Sequence, residues 1–96
     1  MSVLSERIKE LRNERELTMD MLIEDVKLHY GNIKMDKSML SRWERGENEP
    51  SLENAKYLSM YFNVSLDYLI GLTDTRTPSR LLAYAKKINN IKEDNQ

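Results

Sequence analysis

Apolar residues recur along this chain at helical spacing, and the polar residues between them supply the starts and stops. Leu4, Ile8 and Leu11 form one stripe, which predicts a helix capped by Ser5 and running to about Arg15, with its charged face turned to water. Thr18 caps a second helix whose inward positions are Leu22, Val26 and Tyr30, and Gly31 ends it. After the loop Asn32-Ile33-Lys34-Met35, Asp36 opens a third helix over Lys37 to about Arg45, stopped at Gly46. Pro50 bars any continuation, so Ser51 starts a fourth helix with Leu52, Ala55, Leu58 and Phe62 inward. Asn63 breaks it, and Ser65 caps a short fifth helix from Leu66 to Ile70, ended by Gly71. Residues 72–77 form a polar connector, and Thr77-Pro78 reads as a cap followed by proline at a first helical position. The last helix then carries the stripe Leu81, Ala85 and Ile88.

The pattern predicts an all-α chain: a five-helix domain over residues 1–71, a connector over 72–77, and an additional C-terminal amphipathic helix and tail over 78–96. Composition agrees, since 3 Gly and 2 Pro in 96 residues leave few helix breakers. With no Cys and one His (His29), neither a disulfide framework nor a zinc site with thiolate or paired-histidine ligands is available, so no metal or other cofactor is expected. The chain has no Gly-rich phosphate loop and no Ser/His/Asp arrangement, and Glu24 and Asp25 diverge as neighbours on a helix. An enzyme is therefore not expected. No apolar run approaches the roughly 18 residues of a membrane span, and the N-terminus has no signal-peptide layout, which points to the cytoplasm and, for a DNA-binding protein, to the nucleoid. The formal net charge of −1 argues against nucleic acid only globally. Locally, Lys34, Lys37, Arg42 and Arg45 outnumber Asp36 and Glu44. The outward side of the third helix is thus basic.

Three segments together resemble the lambda-repressor-like (Xre/Cro) helix-turn-helix family, including temperate-phage repressors with a stretched second helix. They are Arg7 to Thr18, Ser38-Met-Leu-Ser-Arg-Trp-Glu-Arg-Gly46, and Pro50-Ser-Leu-Glu-Asn-Ala55 continuing through Asn63 to Gly71. The resemblance implies a DNA-binding domain whose third helix enters the major groove. One departure stands out. The step from Thr18 to Asp36 exceeds the family's spacing by about one helical turn plus a few loop residues. The excess is expected to prolong the second helix to Gly31 and to lengthen the loop behind it. Ile23 also replaces a customary alanine, which suggests a re-angled helix pair.

Lys37, Ser38, Ser41 and Arg42 share one face of the third helix, while Leu40 and Trp43 point away from it. By resemblance these four are the base-contacting positions. An arginine there could take guanine bidentately, and serines bond permissively. Phosphates are expected at the second-helix amides near Thr18 and Met19, and at Lys34 and Arg45. Met19 replaces a glutamine that touches the backbone in the family. Glu47 and Glu49 lie close enough to repel phosphate, so non-specific binding should be modest. The resemblance also implies an ion pair between Arg12 and Glu44 that orients the third helix. Trp43 is expected in the core, and His29 on the surface.

Tyr57, Met60 and Tyr61 lie off the core stripe of the fourth helix, and three such groups suggest a covered patch. The cover is either the terminal helix or a second subunit. Together with Leu81, Ala85 and Ile88 they are the candidate dimer contacts, because reading a palindrome requires two-fold pairing. The reading that follows is a sequence-specific transcriptional regulator, a repressor binding a palindromic operator as a homodimer. A regulatory protein such as an antirepressor is a conceivable further partner, and no membrane is involved. Two alternatives stay open: an antitoxin-type autoregulator, and a helical protein-interaction module without DNA binding.

Overall fold

A computed structural model describes residues 2–78. It contains α1 (Val3–Glu14), α2 (Met19–Tyr30), α3 (Lys37–Glu44), α4 (Leu52–Phe62) and α5 (Leu66–Ile70), with no strand among the described residues. The expected C-terminal helix, with Leu81, Ala85 and Ile88, lies outside the described residues.

Every helix starts on a side-chain oxygen that accepts a first-turn backbone N–H, which satisfies a donor the helix itself leaves unpaired. Thr18 accepts from Met21 (3.1 Å), Asp36 from Met39 (2.8 Å), Ser51 from Asn54 (3.1 Å) and Ser65 from Tyr68 (2.9 Å). For α1 the cap is Ser2, accepting from Ser5 at 3.2 Å, and not Ser5 as the sequence suggested. Ser5 is buried inside the helix, where its hydroxyl meets that of Ser2 at 2.8 Å. The earlier start adds Val3 and Leu4 to α1. Val3 packs where Gly71 ends α5: a Cβ on Gly71 would sit 3.1 Å from the Val3 side chain.

The core is one cluster in which Ile8, Leu22, Val26, Leu40, Leu58 and Leu69 are fully buried. Around it α1 packs on α3 and α5, α2 on α3 and α4, and α4 on α5. Leu40 and Trp43 turn α3 inward, and Ala55, Leu58 and Phe62 do the same for α4. Leu52, assigned to that inner stripe from the sequence, is instead exposed at the first position of α4.

The prolonged α2 ends at Gly31, and its extra turn reaches across α4. Tyr30 lies 5.4 Å from Tyr57 between ring centroids, and His29 meets the Tyr61 ring edge-on at 5.7 Å. The Tyr61 hydroxyl donates to the Asp25 carboxylate. Tyr57 and Tyr61 are therefore covered by α2 of the same chain. Both remain half-buried and Met60 is exposed among the described residues, while the terminal helix expected to cover them lies outside those residues. The following loop is pinned by buried Met35 and by Asn54, whose Nδ2 donates to the Lys34 carbonyl at 3.0 Å.

The connector is docked as well. The Ser65 amide donates to the Arg76 carbonyl (2.8 Å), and the Arg76 guanidinium reaches the Tyr68 hydroxyl (3.1 Å), Glu10 (3.2 Å) and Glu14 (3.0 Å). Arg7, assigned to a solvated face, turns inward over the Tyr68 ring and donates to the carbonyls of Tyr68 and Thr73 and to Asp74.

Candidate nucleic-acid interface

The outward side of α3 exists because its other side is committed. Leu40 is fully buried and Trp43 is 3 % exposed, so the helix cannot rotate without exposing its largest apolar groups. Glu44, at 4 % exposure, fixes the end of the helix. Its two carboxylate oxygens accept from Arg12 Nε and Nη2 at 2.7 and 2.8 Å, and Arg12 Nη1 donates to the Leu17 carbonyl at 2.7 Å. The hydrogen bonds to Glu44 raise the Arg12 pKa above its ordinary value, outweighing the opposite push of burial. One guanidinium thus ties α1, the α1–α2 turn and α3 together, in the fork geometry that suits arginine.

That anchoring brings Lys37, Ser38, Ser41 and Arg42 into one groove of about 680 Å³, together with Arg45 and Glu47. Arg42 is exposed, and its guanidinium makes no hydrogen bond or ion pair among the described residues. Its other flank lines a cleft of about 620 Å³ that also contains Lys34, Asn32 and Asn48, over a floor of Met39 and Trp43. Lys34 and Arg42 therefore line the same cleft. Thr18 is exposed, but its hydroxyl serves as the α2 cap, while Met19 is half-buried against the core. The Lys37 ammonium donates to Asp20 at 3.2 Å, which sets the first turn of α2 beside the first turn of α3. Arg45 is held by Glu47 at 3.1 and 3.0 Å and by the Ser41 hydroxyl at 2.9 Å.

Sequence reasoning missed the pairing of Lys37 with Asp20, since it joins two helices at a distance no local pattern encodes. It also missed Asn54. A buried amide three residues beyond a cap was the available signal, because such a group needs a partner. Among the described residues no cluster of His, Cys, Asp or Glu could hold a metal ion, and no helix is long and apolar enough to cross a membrane.

Two helices set first turn to first turn, with the second one's outer face basic and its inner face locked into the core, form a helix-turn-helix. Comparison with known proteins agrees. The Helix-turn-helix family matches residues 8–69, and the chain belongs to that family. It is similar to the HTH-type transcriptional activator BcrR of Enterococcus faecalis, at 29% identity over 92 residues, which cover 90% of this chain and 40% of that protein. It is also similar to the uncharacterized HTH-type transcriptional regulator YobD of Bacillus subtilis (strain 168), at 33% identity over 73 residues, covering 76% of this chain and 59% of that one. The chain thus spans less than two thirds of the length of either relative. No solved structure matches it. Both relatives are named as HTH-type transcriptional regulators, and the helix-turn-helix domain is what this chain shares with them.

Proposed function

We propose that the protein reads a specific DNA site by seating α3 in the major groove, with Lys37, Ser38, Ser41 and Arg42 at the base edges. The observation that carries this is the groove these four residues share, in which the Arg42 guanidinium has no partner among the described residues. An unpaired guanidinium at an exposed helical turn can take guanine O6 and N7 together, while the two serines accept or donate as the neighbouring bases require. The amides at Thr18 and Met19, with Lys34 and Arg45, hold flanking phosphates and fix the register. Arg12 and Glu44 orient α3 and touch no DNA.

The protein works as a two-fold dimer on a palindromic operator. Its pairing draws on the apolar stripe Leu81, Ala85 and Ile88 and on exposed Met60, which lines a small groove with Leu66 and Pro78. Tyr57 and Tyr61 are engaged internally and leave that role to Met60. Repression follows when the occupied operator overlaps a promoter and excludes polymerase. A second reading, activation from a site beside the promoter, is favoured by the likeness to the Enterococcus faecalis transcriptional activator BcrR. It uses the same DNA contacts.

Selection from random-sequence duplexes tests the proposal. The expected result is an inverted repeat with half-sites about one helical turn apart, bound by two chains per duplex. No enrichment at any salt concentration would overturn it. Transcription in vitro from a promoter placed on the selected site then separates repression from activation.

A further inference from the structure

Two of the bases on the reading face already have anionic partners inside the chain. Lys37 Nζ lies 3.2 Å from an Asp20 carboxylate oxygen, across the α2–α3 junction. Arg45 presents Nε and Nη2 to the two oxygens of Glu47, the same forked edge that a phosphate would take. Both pairs stand in the open, with every one of the four side chains more than half exposed. Exposed pairs are weak, so DNA can displace the carboxylates at little cost. The carboxylates still change the ion balance. On random DNA, where no base pattern holds Lys37, both Lys37 and Arg45 meet phosphate with a carboxylate still close by, so each pair brings no net positive charge and the condensed cation need not leave. The usual gain from counterion release is then lost at that contact.

We propose that Asp20 and Glu47 act as built-in stand-ins for DNA phosphate, holding down backbone-driven binding so that residence on DNA depends on Arg42. This deepens the DNA-reading function proposed above and rests on it. The arrangement needs residues from three places: the start of α2, the start of α3, and the turn after α3. It is most effective on random DNA, where backbone charge supplies nearly all the affinity.

The test titrates a random-sequence duplex across a salt series with four forms of the protein. They are the wild type, Glu47→Gln alone, Asp20→Asn/Glu47→Gln, and a control, Glu6→Gln/Asp67→Asn, which removes as much charge from exposed positions on α1 and α5 outside the groove. The double variant is expected to bind on the order of tenfold tighter at low salt, with the slope of log K against log salt steeper by about one for each carboxylate removed. Glu47→Gln lies outside every helix and should show about one such unit on an undisturbed fold. The control should keep the wild-type slope. A double variant with the wild-type slope, or a control matching the double variant, overturns the proposal. Failure of all four forms to bind at the lowest salt overturns it too, and takes the DNA-reading function with it.

Discussion

Arg12 and Glu44 show at single-residue scale how a charge pair can serve geometry more than energy. Both are largely buried, with side chains 13% and 3% exposed, so removing one strands the other in a low-dielectric setting. Arg12→Ala should destabilise the domain by about 3 kcal/mol, while Arg12→Met/Glu44→Met should stand closer to the wild type than either single change does. Urea unfolding of the three variants checks this. Tyr61 is the second case. Burial first, and then its hydrogen bond to Asp25, push its pKa up to about 12 from the ordinary 10. A folded-state pKa above the unfolded value means that the protonated hydroxyl is favoured by folding. Its stabilisation is complete below pH 10 and is lost as pH rises from 10 to about 12. Tyr61→Phe should therefore unfold at alkaline pH with a shallower decline over that window, followed by circular dichroism. The Arg12–Glu44 positions were recognisable in the sequence only through family resemblance, and Tyr61 only as an apolar group in need of cover. The sequence marks the end of the prolonged α2 at Gly31, but that its extra turn meets Tyr57 and Tyr61 is a tertiary fact.

At the scale of elements, α2 and its loop set this chain apart from the family spacing. The extra turn is ended by Gly31 at φ 85 and ψ −163, a conformation essentially reserved for glycine. Nothing lies within 4 Å of a Cβ built there, so the obstacle to substitution is the backbone and not a clash. Gly31→Ala should cost about 1–3 kcal/mol in thermal or urea unfolding. An unchanged stability would mean that the loop relaxes freely, and that Met35 and Asn54 do not pin it. The helix caps at Thr18, Asp36, Ser51 and Ser65 were all legible, because each places a short oxygen-bearing side chain before an amphipathic run. Ser5 misled because Ser2 precedes it by one turn and both could cap. Burial of Leu4 and the docking of Val3 against Gly71 decide for Ser2, and both are tertiary facts.

For the molecule as a whole, the five-helix order and the core stripe could be read from periodicity, whereas the docked connector could not. A polar stretch such as Leu72-Thr-Asp-Thr-Arg-Thr77 looks like a plain linker until Arg7, Glu10, Glu14 and Tyr68 are found around Arg76 and Asp74. Truncation after Pro78 keeps all of these contacts and should leave the unfolding midpoint of the domain in place, while weakening operator binding through lost pairing. Sedimentation velocity at matched concentrations checks the pairing, and an unchanged profile would place the dimer contacts within residues 2–78. The central claim is that the outward face of α3 reads bases, and it is tested most directly by titrating wild type and Arg42→Ala against the selected operator and its single-base-pair variants. Arg42→Ala should lose about 1–3 kcal/mol on the operator and become indifferent to the identity of one base pair while keeping its preferences at the others. A loss of equal size on every sequence, random duplex included, would make Arg42 a phosphate contact and contradict the claim.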